Sequence, residues 1–417
     1  MNDNQHIPTG YKPSPLGPIP EDWEVKRLGE ICDYVDYRGK SPDKVSNGVF
    51  LVTAKNIREG FIDYEISKEY IPKEDFEIVM RRGKAEVGDV LITTEAPLGH
   101  VAQIDNPNIA LAQRVIKYRG KGNILNTFLK YFLMSETFQA ILIANATGST
   151  ALGIKGSRLH QLQIIVPSIN EQEKIISLLQ LWDTAIAKQT ALIEQLTLRK
   201  RGLMQQLLTG KKRLKGFEGE WKEVRLGDVA SINRGGSPRP IEDYITDGEG
   251  YNWIKIGDVG VDAKYITSTE EKIIKEGLSK TRFVKSGDFI LSNSMSFGRP
   301  YILKIDGCIH DGWLVIQEYS QTFNIDFLYY ILGYDTTLAQ YKSMAAGSGV
   351  LNLNKEIVKE VQLRIPSIDE QIVIASILVN ADKEIEIQKQ KLAAMQEQKK
   401  GLMQVLLTGK RRISHER

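Results

Sequence analysis

Two stretches of the chain place apolar residues at alternating steps of four and three, the spacing of a helix face that packs against another helix. In the first, the positions are Ile175, Leu179, Trp182, Ile186, Gln189, Ile193, Leu196, Lys200, Leu203 and Leu207. In the second they are Ile374, Leu378, Ala381, Ile385, Gln388, Leu392, Met395, Lys399, Leu402 and Leu406. Eight of the ten positions are apolar in each, and the polar exceptions fall at matching places. Gln189 and Gln388 lie near the midpoints, so antiparallel pairing would set these amides opposite each other and fix the register. Two amphipathic helices buried separately in two domains would give a similar pattern.

The two stretches are copies. Pro167-Ser168-Ile169-Asn170-Glu171-Gln172 returns as Pro366-Ser367-Ile368-Asp369-Glu370-Gln371, and Gly202–Lys211 returns as Gly401–Lys410 with nine of ten residues identical, always 199 positions on. This is an internal duplication. Ser168 with Glu171, and Ser367 with Glu370, have capping-box spacing, while Gly210 and Gly409 sit where a helix closes. From Ile169 to Leu208 is 40 residues, roughly 60 Å as one straight helix, with Gly202 and Gly401 as points where a bend is possible.

The duplication extends to what precedes each helix. Asp22-Trp23-Glu24-Val25-Lys26-Arg27-Leu28-Gly29 answers Glu220-Trp221-Lys222-Glu223-Val224-Arg225-Leu226-Gly227. Arg38-Gly39-Lys40-Ser41-Pro42 answers Arg234-Gly235-Gly236-Ser237-Pro238, Gly88-Asp89 answers Gly287-Asp288, and Gly148-Ser149 answers Gly347-Ser348. Short β-rich runs at Val49–Thr53, Val90–Thr94 and Trp253–Ile256 come first, and helical patterns at Asn126–Ala144 and Asp326–Met344 come last. The expected class is α+β: two similar globular domains separated by two long helices that form an antiparallel coiled coil, with a pseudo-two-fold internal repeat. The expected boundaries are 1–166, 167–210, 211–365 and 366–417.

Charge changes the picture little. The chain of 417 residues has a net charge of +3. Residues 1–166 hold 20 basic and 20 acidic side chains, and residues 211–365 hold 21 of each, so neither globular part carries a bulk basic excess. Nucleic-acid binding would have to come from local basic loops with a partner's help. No run of about 20 apolar residues is present and the N-terminal stretch is polar and proline-rich, so neither a membrane span nor a signal peptide is expected. Cys32 and Cys308 form no ligand spacing, and a reducing cytoplasm is the expected location.

Catalytic chemistry is not found. Gly148–Lys155 resembles a phosphate loop, but Ile154 separates the second glycine from the lysine. Asp258 with Glu270-Glu271-Lys272 has only the loose spacing of a nuclease site. His6, His100, His160, His310 and His415 show no metal-ligand spacing, and neither G-x-S-x-G nor the Asn-Pro-Pro or Asp-Pro-Pro of an amino-methyltransferase occurs. No catalytic residue, cofactor or metal is expected. What remains is recognition: glycine-supported basic loops containing Arg38, Lys40 and Ser41, and Arg234, Gly236, Ser237 and Arg239, offer amides, hydroxyls and guanidinium groups to phosphates or base edges. Thr94, Arg114, Asn293, Ser294 and Arg299 are further candidates near strand ends, with Glu95, His100 and His310 beside them.

Together these features resemble the specificity subunit of type I restriction-modification systems. The residues that carry the likeness are Gly10-Tyr11-Lys12, Leu16-Gly17, Ile19-Pro20 and Asp22-Trp23 at the start, and Gly235-Gly236-Ser237-Pro238 with Trp253-Ile254 and Gly257-Asp258. The repeated Pro167…Glu171-Gln172 and Leu207-Leu208-Thr209-Gly210-Lys211 complete it. Arg38–Pro42 fits the glycine-rich loop only loosely. The resemblance implies a non-catalytic subunit whose two target-recognition domains, at opposite ends of the coil, each read one half of an asymmetric bipartite site in double-stranded DNA. It also implies partners: two methylation subunits, docked on the helices, and restriction/translocase subunits, with no membrane. The rival reading is a coiled-coil scaffold whose globular modules bind proteins; a stand-alone nuclease is a third.

Overall fold

The computed structural model describes residues 7–37, 42–148, 151–260, 263–293, 297–346 and 352–413. It divides into two compact units, Met1–Thr190 with Gln390–Arg417, and Ala191–Lys389. Each unit contains one globular domain, half of the first long helix and half of the second.

The long helices run Ile169–Leu207 and Ile368–Leu406, 39 residues each and without interruption at Gly202 or Gly401. All twenty seam positions are buried or half-buried. In the first unit Glu171 pairs with Arg412 and Asp183 with Lys399; in the second Arg199 pairs with Glu384 and Arg213 with Glu370. Residue numbers rise on one helix as they fall on the other, so the pairing within each unit is antiparallel. Gly210 and Gly409 close the helices with φ of 68° and 73°, the left-handed conformation that costs glycine no Cβ clash. Of the expected capping boxes the second is half made, while in the first the Glu171 N–H bonds to the Ser168 carbonyl at 3.0 Å. The Glu370 N–H reaches Ser367 Oγ at 3.4 Å, but the acidic side chains are drawn elsewhere by stronger charge-assisted partners. Glu171 accepts from Trp23 Nε1 at 2.8 Å and from Arg412, while Glu370 accepts a two-pronged bond from Arg213.

The globular domains repeat one topology. In the first unit Cys32–Asp36, Val115–Gly120, Val90–Thr94 and Leu98–Gln103 lie side by side in that order, all antiparallel. In the second, Ser231–Arg234, Trp313–Gln317, Phe289–Ser292 and Pro300–Leu303 follow the same order, extended by Tyr265–Ile266. A second sheet in each contains one parallel pair, Val49–Val52 with Ile109–Leu111 and Tyr251–Ile254 with Gly307–Ile309. Two further pairs match as well, Glu24–Arg27 with Gln163–Val166 and Lys222–Arg225 with Gln362–Ile365. An early strand of each domain therefore lies beside the strand that feeds its long helix.

The helical patterns expected over Asn126–Ala144 and Asp326–Met344 are each broken in two: Asn126–Met134 and Glu136–Ala144, then Ile325–Leu332 and Asp335–Ala345. Ser135 causes the first break by turning extended and accepting from the Phe138 N–H as an N-cap. The core of each unit joins these helices to the long ones: Phe128, Tyr131 and Phe132 pack with Ile175, Leu179 and Leu406, and Phe327, Tyr330 and Ile331 with Leu207, Ile374 and Leu378. Among the described residues no helix is long and apolar enough to cross a membrane.

Candidate nucleic-acid interface

In the second unit the chain leaves the edge strand Ser231–Arg234 and turns through Gly235-Gly236-Ser237 across the end of the neighbouring strands. The Gly235 N–H bonds to Trp313 O at 2.9 Å and the Gly236 N–H to Ile309 O at 3.2 Å. A Cβ on Gly235 would stand 2.3 Å from the His310 carbonyl oxygen, and one on Gly236 2.8 Å from that of Lys280. Only glycine allows this approach, and it brings the side chains around the loop onto one residue that the sequence reading passed over, Asp311.

Asp311 lies in the short connection between Gly307–Ile309 and Trp313–Gln317. Its Oδ1 accepts from Ser237 Oγ at 2.9 Å and lies 3.1 Å from His310 Nε2. Arg234 Nε donates to its carbonyl oxygen at 2.9 Å, and Arg239 Nη2 stands 3.8 Å from Oδ2. Asn293, almost fully buried, donates from Nδ2 to the same carbonyl at 3.0 Å. The carboxylate partly balances the cations while Arg239 keeps 83% of its side-chain surface in solvent. The structure thus gathers Arg234, Gly236, Ser237, Arg239, Asn293 and His310. It does not bring Arg299 to them: that residue lines a separate cavity of about 550 Å³ with Lys200, Tyr329 and Tyr330.

The first unit places its candidates at the equivalent strand ends. Thr94 is buried, and its N–H and hydroxyl both point to the Arg114 carbonyl, at 2.9 and 3.3 Å. Arg114 is half-exposed, has a φ of 73°, and pairs through Nε with Glu95 Oε1 at 2.8 Å. Gln113, immediately before it, occupies the place that Asp311 holds in the second unit, two residues ahead of the next strand. His100 is committed to the fold, with Nδ1 3.0 Å from Ile57 O. Arg38, Lys40, Ser41 and Ser294 lie outside the described residues.

A further loop joins each set. The Ile154 N–H bonds to Thr94 O at 2.9 Å, and the Leu353 N–H to Asn293 O at 2.7 Å, again 199 residues apart. Ile154, from the Gly148–Lys155 stretch that fails as a phosphate loop, is thereby held beside the Thr94 strand end. Lys155, exposed, precedes the short helix Gly156–Leu159. Neither this neighbourhood nor Asp311 has a sequence signature; only strand pairing brings them in.

Other acidic groups serve the fold. Asp258 Oδ2 accepts from the Lys255 N–H at 2.7 Å and Lys255 pairs with Glu271 at 2.7 Å. Among the described residues no group of three or more His, Cys, Asp or Glu side chains could hold a metal ion.

Known proteins resemble this chain along most of its length. The family model for the type I restriction modification DNA specificity domain matches the chain twice, over residues 20–198 and 218–397. The putative type I restriction enzyme MjaX specificity subunit of Methanocaldococcus jannaschii is 25% identical over 97% of both chains, and the MjaVIII specificity subunit of the same organism is 23% identical over 95% of both. Among solved structures, a chain from a study of assembly and conformational transition of a type I R-M system aligns with a TM-score of 0.65 at 19% identity, covering 94% of this chain and 99% of that one. The S subunit of the type I restriction-modification system from M. genitalium aligns with a TM-score of 0.54 at 16% identity, covering 92% and 96%.

Proposed function

The chain belongs to the type I restriction modification DNA specificity family, and from that membership we propose that its two units read two different halves of one asymmetric, bipartite site in double-stranded DNA. It is a specificity subunit with two target-recognition domains, a non-catalytic component of a type I restriction-modification complex. Residues 1–166 and 211–365 are assigned to the recognition domains, 167–210 and 366–417 to the helices that join them.

One observation carries the reading of two unlike half-sites. The loop that leads to the long helix meets the same strand end in both units, through Ile154 and Leu353, yet the connection beside it differs: Gln113-Arg114 in the first, Asp311-Gly312 in the second. An amide donates and accepts, as adenine's major-groove edge requires, whereas a carboxylate only accepts, as from cytosine N4. A symmetric dimer of identical domains would read a palindrome; unlike loops on a common frame call for an asymmetric site. We assign DNA contact to Arg38, Lys40, Ser41, Thr94 and Arg114 in the first domain and Arg234, Gly236, Ser237, Arg239, Asn293, Ser294 and Arg299 in the second. Thr94, Asn293 and Gly236 are assigned to act through the backbone they shape, and Arg299, apart from the loop cluster, to contact with a phosphate. Gln189, buried, and Gln388, half-buried, are assigned to fixing helix register.

The neutral globular parts leave few phosphates for this chain to neutralise, so methylation subunits, two by the internal symmetry, supply the rest of the electrostatic grip and the methyl transfer. Restriction/translocase subunits are the further partners. The test is methylation by the reconstituted complex on duplexes varied one base at a time. The double substitution Arg234→Ala with Arg239→Ala should relax discrimination in one half-site by about 1–3 kcal/mol for each base contact removed and leave the other half unchanged. Equal relaxation in both halves would refute the assignment.

A further inference from the structure

Each recognition domain is fastened to the long helices by the same polar clamps. In the first unit Tyr131, fully buried on the helix Asn126–Met134, donates its hydroxyl to Asp183 Oδ2 on the first long helix. The other carboxylate oxygen of Asp183 takes Lys399 Nζ of the second long helix at 2.5 Å, and that ammonium stands 5.5 Å above the Tyr131 ring. In the second unit Tyr330 on Ile325–Leu332 donates to Asp382 Oδ2 at 2.5 Å, Asp382 Oδ1 takes Lys200 Nζ at 2.5 Å, and Lys200 stands 5.5 Å above the Tyr330 ring. The three residue types, their bonds and the ring stacking recur 199 positions on, with the two long helices exchanging roles.

A second fastening repeats as well. Gln172 accepts from the Leu125 N–H at 2.8 Å and donates to the Asn123 and Pro167 carbonyls at 3.0 and 2.9 Å. Gln371 does the same with Asn324, Thr322 and Pro366 at 2.9, 3.0 and 3.1 Å. Each domain helix is therefore held at its N-terminus and again about 9 Å along its axis, at the tyrosine. One point is a pivot; two define an angle.

Apolar packing alone does not supply that angle. The contact of Phe128 and Phe132 with Ile175, Leu179 and Leu406 is non-directional and does not by itself single out one orientation. A buried hydrogen-bond network is satisfied in one geometry and leaves desolvated partners in any other. Burial first, and then the hydrogen bond to Asp183, push the Tyr131 hydroxyl far above its ordinary range, so it stays a donor; Tyr330 beside Asp382 behaves alike. Lys200 and Lys399 also occupy seam positions where an apolar side chain would serve the coiled coil better, so their charge has another use.

We propose that Tyr131–Asp183–Lys399 and Tyr330–Asp382–Lys200 are positioning residues that fix the angle of each recognition domain on its helix pair, and thereby the number of unread base pairs between the half-sites. This rests on the bipartite reading above.

The test uses the complex with its methylation subunits and a duplex library in which both half-sites are fixed and the gap is one base pair short, native or one long. Tyr131→Phe, Lys399→Met, Tyr330→Phe and Lys200→Met each remove one arm of a triad with little change of shape. Each folded variant, checked by thermal unfolding, should raise methylation of the off-length gaps relative to the native gap by about tenfold, the loss of one charge-assisted bond, while reading the same bases. A gap profile unchanged from wild type in the folded variants overturns the proposal, as does altered base preference. Asp183→Asn, which keeps an acceptor for Tyr131, gives an independent decision should another variant fail to fold. Wild-type complex that methylates all gaps equally, or no two-part site, sinks the bipartite reading itself and is recognised before any variant is made.

Discussion

Arg114 holds its backbone at a φ of 73°, a conformation that costs an L residue about 1 kcal/mol or more through Cβ crowding. The matching connection in the second unit places Gly312 after Asp311, as Arg114 follows Gln113. A strained arginine at a strand end points to a side chain kept for contact rather than for folding. Arg114→Gly should therefore leave the urea midpoint unchanged or higher while discrimination in one half-site falls; a loss of stability with full DNA discrimination would place Arg114 in the fold instead. Asp89 behaves in the opposite way. It is 1% exposed and ion-paired to the 7%-exposed Lys117 and to Arg119. Burial opposes its ionisation, but Arg119, the Glu86 N–H and Lys117 outweigh that and hold the carboxyl below its ordinary value. Its stabilisation is present above the unfolded carboxyl value near about 4 and is lost as pH falls through the lower folded value. Asp89→Asn, leaving Lys117 buried without its counter-charge, should cost about 3–5 kcal/mol at neutral pH. In urea titrations that deficit should shrink in acid below the folded value; a deficit equal at all pH would contradict the account.

At the scale of elements, the long helices are the part most legible in the sequence, because a period sustained over 39 residues averages out single exceptions. Every seam position falls at a buried or half-buried site. The helices inside the domains were less legible. Ser135 is a weak interruption to a pattern but a complete capping group once the chain turns there. The sites were half legible for the same reason: Arg234, Ser237 and Asn293 announce themselves by type, while Asp311 and Ile154 enter only through hydrogen bonds to residues distant in sequence. If the helices set the spacing of the half-sites, one added heptad in both, near Gln189 and Gln388, lengthens the pair by about 10 Å, or roughly three base pairs. The recognised gap should grow by about that much with the bases unchanged. Three base pairs also turn the groove by roughly 100°, so lower activity and a gap one base pair away from that value are within the expectation. An active complex with the original gap would show that the coil is not the ruler.

For the whole molecule, the decisive features are duplication and divergence together. Two units share strand order, helix clamps and loop positions, which gives the chain two recognition sites on one frame. Balanced charge in both globular parts gives neither a bulk basic excess for non-specific binding; on the proposed reading each site acts through the bases its own loops touch, with partners holding the backbone. The central claim is that the two readings are independent. It is tested most directly by exchanging residues 1–166 for the equivalent segment of a relative with a different site, then mapping methylated positions genome-wide in a host that carries the methylation subunits. One half of the bipartite site should change, and the other half and the gap should remain as before. A change in the bases of both halves would contradict it.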